Sequence, residues 1–198
     1  MTMRSSVVDK AVTAAGLHAR YAQPHRKYHT ADHIAHMLAS IDEMRPTSGQ
    51  LESLHLATWF HDAIYAPGRN DNEQRSAFLA SDTLEMIGAS PQLAAEVARL
   101  ILITQSHAPQ SDDEPGCILS DADLNILAAS PAIYADYARA IRQEYELVPD
   151  DLYKTARATV LRTFLDRSTI FTGPTSQQLW EDAARSNLTA EIRKLEAR

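Results

Sequence analysis

Apolar residues recur every three or four positions along almost the whole chain, and no apolar–polar alternation lasts long enough to make a strand. That spacing lays a single apolar stripe along an α-helix, whereas a half-buried strand needs a period of two. Six of the 198 residues are glycine, so proline and short polar loops supply most of the punctuation. The chain therefore reads as all-α. With 44% hydrophobic residues it can fill a sizeable core, and its length fits one domain or a domain with a small appendage.

The helices can be placed from their stripes and caps. Ser5 and Ser6 are candidate caps for a first helix running to about Ala22, with Val8, Val12 and Ala15 on one face. Pro24 breaks it, and a polar, basic and aromatic stretch follows to His29. Thr30 caps a second helix whose stripe is Ile34, Met37, Leu38 and Ile41. Beyond a loop at 45–49, a third helix puts Leu51, Leu54, His55, Thr58, His61, Asp62 and Tyr65 on one face. Asn70 or Asp71 caps a fourth. Ser90-Pro91 opens a fifth that runs to His107, and an acidic loop leads to a sixth carrying Leu119, Asp121, Asp123 and Leu127. Ser130-Pro131 opens a seventh, with Tyr134, Tyr137 and Tyr145 as core residues. Pro149-Asp150-Asp151 opens an eighth, and Ser176 caps the last. There is no repeat and no linker. The expected architecture is one helical bundle, with a core over about 25–130 and C-terminal helices over 131–198 packed on it.

The formal net charge of -7 argues against a nucleic-acid surface, which calls for clustered Lys and Arg. It leaves room for a pocket that takes one small phosphorylated molecule. Cys117 is the one cysteine, so no disulfide or thiolate metal cluster can form within the chain. No apolar signal core or membrane-length run is present. A cytoplasmic location is the expectation, and oligomeric state is open.

The chemistry starts at Trp59-Phe60-His61-Asp62. A carboxylate inside an apolar run is costly unless it is paired or holds a metal. Imidazole and carboxylate together suit a hard to borderline ion. Two ligands do not make a site, and the chain offers His29, Asp121, Asp123 and His107 as further candidates.

The order His29, His61-Asp62, Asp123 on separate helices resembles the HD-domain metal-dependent phosphohydrolases, and most closely a bacterial branch of predicted members. Four motifs carry the resemblance: Tyr28 to Ile34, His61 to Tyr65, Asn72 to Ala77 and Asp121 to Leu124. It implies a helical bundle of the HD type with His29, His61, Asp62 and Asp123 as ligands of a divalent ion (Mn, Fe, Ni, Co, Mg or Zn). Asp121 stays the alternative to Asp123, because Leu124 stands where many members have Arg or Lys. The implied activity is hydrolysis of a phosphate ester or anhydride of a small molecule, such as a nucleotide. Arg26, Glu73 and His107 are the expected catalytic residues: Arg26 to hold phosphate oxygens, Glu73 to orient water or a ligand, His107 to orient phosphate or protonate a leaving oxygen. Each has a plainer alternative: a loop charge, a partner of the helix dipole and a helix cap. His33, one turn after His29, either faces the same pocket or backs a ligand, and Arg69 is a further phosphate contact. The resemblance also admits a two-iron oxygenase, which needs histidines between His61-Asp62 and Asp123 where His107 stands alone, and a metal-containing binding module without turnover.

Overall fold

The computed structural model describes residues 6–197, without the side chain of Ser6. Ser5, the other expected cap, lies outside the described residues. Among these, the chain is an all-α bundle with no strand. Its first half holds α1 (Ser6–Ala14), α2 (Leu17–Tyr21), α3 (Ala31–Met44), α4 (Ser48–Phe60), α5 (Asn72–Met86) and α6 (Pro91–Ile103). The second half holds α7 (Glu114–Leu124), a 3-10 turn (Asn125–Ala128), α8 (Pro131–Glu144), α9 (Asp150–Leu165) and α10 (Pro174–Glu196).

The helix ends follow local chemistry, with several differences from the sequence reading. Gly16 adopts a left-handed φ of 61° and splits the expected first helix into α1 and α2. Glycine takes that conformation without a Cβ clash. Thr47 and Gln50 form a reciprocal capping box, so α4 begins inside the stretch expected to be a loop. Ser90 caps α6 through its hydroxyl, which accepts from the Leu93 N–H at 3.2 Å. Ser130 stands at the same position before α8 but makes no such bond, and neither does Thr30 before α3. α10 starts at Pro174 after Gly173, which puts Ser176 inside the helix and not at its cap.

Two apolar clusters fill the interior. The first joins α1 through α7 around Leu54, Phe60, Ile34, Met37, Ile41 and Leu100. The second joins the 3-10 turn, α8, α9 and α10 around Leu127, Tyr134, Leu161, Phe171 and Leu188. α7 belongs to both: Leu119 and Ala122 enter the first and Leu124 enters the second. Each of these large side chains, fully buried, contributes about 1.5–3 kcal/mol relative to exposure. Asn187 of α10 donates to the carbonyls of Leu127 and Ala129 and so fixes the turn that follows α7. Arg185 satisfies the carbonyls of Leu165, Arg167 and Ser168 at the end of α9.

Asp121 helps join the halves. It is buried on α7, and its carboxylate accepts the Thr172 N–H, the Thr172 hydroxyl and the Gly173 N–H at 2.8–2.9 Å. A Cβ on Gly173 would lie 3.1 Å from an Asp121 oxygen, so glycine suits this close approach. Asp121→Ala should lower unfolding stability by about 2–4 kcal/mol, since hydrogen bonds to a charged group contribute about 1.5–3 kcal/mol each and are not additive. Urea denaturation followed by circular dichroism checks it.

Candidate metal centre

α4 is apolar and buried up to Phe60, and there it stops. His61 occupies the C-cap, its N–H donating to Ala57 at 2.8 Å, and the next residues turn away. His61 and Asp62 therefore leave the helix on a turn and do not continue one helical face as the sequence predicts. His55 from that predicted face lies elsewhere, 3.2 Å from Asp42 of α3. His61 Nδ1 lies 2.9 Å from the Thr58 carbonyl, an acceptor, so Nδ1 carries the hydrogen. Nε2 is left to face the Asp62 carboxylate at 3.0 Å.

His29 comes from the bend before α3. Its Nδ1 lies 2.6 Å from Glu144 Oε2, which accepts the ring hydrogen and directs Nε2 toward Asp62 at 3.9 Å. Glu144, the last residue of α8, does more than hold one ring. Its Oε1 accepts the consecutive N–H groups of Lys27, Tyr28 and His29 at 2.7–3.0 Å, and Oε2 also accepts the Tyr65 hydroxyl at 2.8 Å. Burial works against the charged carboxylate, but the His29 hydrogen bond and charge, with the backbone N–H donors, outweigh it and bring Glu144 down to about 2. Sequence reasoning passed over Glu144. The available signal was its position: an acidic residue in the last turn of a helix opposes the dipole there.

The third side comes from α3 and α7. His33 is buried in α3, its Nε2 3.3 Å from His61 Nε2 and 3.2 Å from Asp123 Oδ1. Asp123 Oδ1 also stands 3.8 Å from His61, and its Oδ2 accepts from His107 at 2.8 Å. α6 ends at Ile103, short of His107, which has a left-handed φ of 48°. Arg167 pins that turn by donating to the carbonyls of Ser106 and His107, both at 2.7 Å.

Donors bound at ~2.1 Å to one ion lie roughly 3–4 Å apart. The nitrogen and oxygen atoms of His33, His61 and Asp62 lie within 4.8 Å of one another, and the trio could hold a metal ion. His29 and Asp123 meet it at 3.9 and 3.8 Å. The fixed ring tautomers and the mixed nitrogen–oxygen donor set both fit a divalent ion. Comparisons with protein-family models, with curated proteins and with solved structures found no match.

The remaining expected residues divide. His107 reaches the group through Asp123, and Glu73 lines the same cavity, which measures about 580 Å³. Arg26 does not fit its expected phosphate role. It is buried, stacked over the rings of Tyr21 and Tyr65, and its guanidinium donates to the side chain of Gln23 and to the carbonyls of His29, Asp62 and Ala63. It ties together the turns that carry His29 and Asp62. Asp121, the alternative to Asp123, is committed to Thr172 and Gly173. Arg69 is exposed and paired with Asp71. Tyr145, expected in the core, lines the cavity, as do Arg157, expected as scaffold, and Tyr137, the latter also packed against the second apolar cluster.

The charges form one coupled set. Burial opposes ionisation of Asp62 and Asp123, yet the facing histidines hold both carboxylates well below the ordinary range. Burial likewise opposes a proton on His61, but Asp62 and Asp123 push the imidazole up to about 9. This folded value exceeds the ordinary 6.5, so the proton's contribution to metal-free stability is complete below pH 6.5 and is lost as pH rises through 9. A metal ion competes with that proton for Nε2. Affinity for Mn(II) should therefore climb between pH 6.5 and 9, with release of about one proton, as calorimetric titration in buffers of different ionisation heat can measure. Glu144→Gln should weaken metal binding roughly 10–100-fold, the usual loss when a partner behind a ligand histidine is removed. Competition with a chelator gives that number.

Proposed function

We propose that the protein is a metal-dependent phosphohydrolase that cleaves a phosphate ester or anhydride of a small molecule. The observation that carries this reading is the convergence of His29, His61, Asp62 and Asp123 from separate segments, with donor atoms 3.0–3.9 Å apart, beside one cavity. The order of these residues along the chain, which resembles that of the HD-domain phosphohydrolases, adds to it.

In this reading His29, His61, Asp62 and Asp123 hold the ion, and His33 joins them or stands directly behind. A bound divalent ion supplies Lewis acidity, lowering the pKa of water from about 15.7 to about 7 and polarising a phosphoryl oxygen. The chain's own residues do the rest. Glu144 and the Thr58 carbonyl hold the His29 and His61 rings with Nε2 forward. Arg26 fixes the carbonyls of His29 and Asp62, so the ligands are set before substrate arrives. His107 lines the cavity and holds Asp123 through the hydrogen on its Nε2, which leaves Nδ1 as the ring atom to pass a proton to a leaving oxygen. Glu73, on the same wall, orients water.

One observation favours a second reading. His33 and His107 approach opposite oxygens of Asp123, at 3.2 and 2.8 Å, so two further imidazoles stand beside the four proposed ligands, although only His107 comes from between His61-Asp62 and Asp123. Metal analysis separates the two readings: the hydrolase reading expects phosphate release with Mn, Co, Ni or Mg, the oxygenase reading two irons and oxygen uptake. For the hydrolase, Asp62→Ala should fold, lose its metal and drop turnover at least ~100-fold against a panel of phosphate esters. Phosphate release from no ester with any of these metals, or native turnover in Asp62→Ala, would refute the reading.

A further inference from the structure

The cavity beside the metal residues has an unusual lining for a phosphate pocket. Arg157 is the one Lys or Arg among its described residues, and its guanidinium is held by Glu191, with Nε 2.9 Å from a carboxylate oxygen. Glu73, Asp62 and Asp123 add negative charge. A nucleoside di- or triphosphate brings several charges that such sites meet with arginine forks, lysines or loops of backbone N–H groups. Beyond the metal group, this wall has no such set.

One side of the wall is apolar. Leu124, Ile126 and Leu127 come from the end of α7 and the 3-10 turn, and Ile141 comes from α8. On α9, Phe164, Val160 and Ala156 line the cavity at four-residue spacing. Phe164 packs against the second apolar cluster, and the row then opens outward: Val160 is 48% exposed and Ala156 is exposed. Residues four apart share one face of a helix, and eight residues cover roughly 12 Å. An apolar track therefore runs along α9 from the cavity to the surface. Tyr145 and Tyr153 border it, and their hydroxyls make no hydrogen bond among the described residues.

Resting on the phosphohydrolase reading, we propose that the substrate is a phosphate monoester of an elongated apolar alcohol, its phosphoryl group at the metal residues and its carbon chain on the Phe164–Val160–Ala156 row of α9. One phosphoryl group matches a site with one ion-paired arginine. An open-ended apolar row matches a chain of variable length better than it matches a compact, polar nucleoside.

Alkylphosphonates test this, because their carbon–phosphorus bond keeps them from being hydrolysed as esters. Binding of methyl-, butyl- and octylphosphonate, inorganic phosphate, AMP and ATP to the Mn(II)-loaded protein is measured by calorimetry, all below aggregation concentrations. Affinity should rise roughly tenfold or more from butyl- to octylphosphonate, since each methylene moved from water onto an apolar wall adds up to about fourfold. In Val160→Asp, a change at a half-exposed position that the fold should accept, the dependence on chain length should flatten. An affinity independent of chain length, or AMP and ATP binding more tightly than octylphosphonate, overturns the proposal. The two readings fail separately. Hydrolysis of nucleotides without any chain-length effect refutes the apolar substrate and keeps the hydrolase. A chain-length effect without hydrolysis of any ester refutes the hydrolase and keeps the apolar ligand.

Discussion

The Glu144 carboxylate spans from the end of α8 to three consecutive N–H groups at 27–29 and, with its second oxygen, holds the His29 ring and the Tyr65 hydroxyl. A buried carboxylate is expensive unless its lone pairs are filled. Here five donors fill them, and the cost becomes a constraint. The bend before α3 has no helix or strand to fix its backbone, so Glu144 does so from across the molecule. Everything about the aim of His29 depends on that contact, and His29 in turn faces Asp62.

Arg26 supplies the complementary restraint. It is a cation where Glu144 is an anion, and it gathers carbonyls where Glu144 gathers N–H groups. Between them they satisfy both kinds of backbone group in two loops that would otherwise leave polar atoms buried and unpaired. Tyr65 is touched by both, its ring under Arg26 and its hydroxyl on Glu144. His29, His61 and Asp62 thus stand on irregular backbone made rigid by side chains, while His33 and Asp123 face them from α3 and α7.

The helices were legible in the chain because their apolar spacing is a local property. The stripes of α3 and α6 and the Ser90-Pro91 cap need no knowledge of the rest of the molecule. Helix ends were less legible: α4 stops at Phe60 and α6 at Ile103, short of where their apolar stripes lead, while the split at Gly16 was a local signal left unread. His61, Asp62 and the Asp121–Asp123 pair stood out as residue types that do not belong in apolar surroundings, whereas His29, and Asp123 in place of Asp121, were implied only by the resemblance to a family. Arg26 shows the limit of that logic. A basic residue near a candidate site reads as a ligand contact, and its use of carbonyl partners is a three-dimensional fact. Glu144 lies 115 positions from His29, and no local pattern links them. Asp121 and Asp123 are two residues apart on α7 and point to different partners, a distinction set by the path of residues 172–173.

That sequence distance has a consequence for assembly. A chain extended only through α7 already contains His61, Asp62, Asp123 and the residues of the first apolar cluster, yet it lacks the carboxylate that orients His29. Closing a loop of more than a hundred residues is slow compared with helix packing between neighbours. The orientation of His29 is thus completed by one of the most distant contacts in the chain, and a nascent or truncated form that has built its first core would still carry that imidazole unaimed.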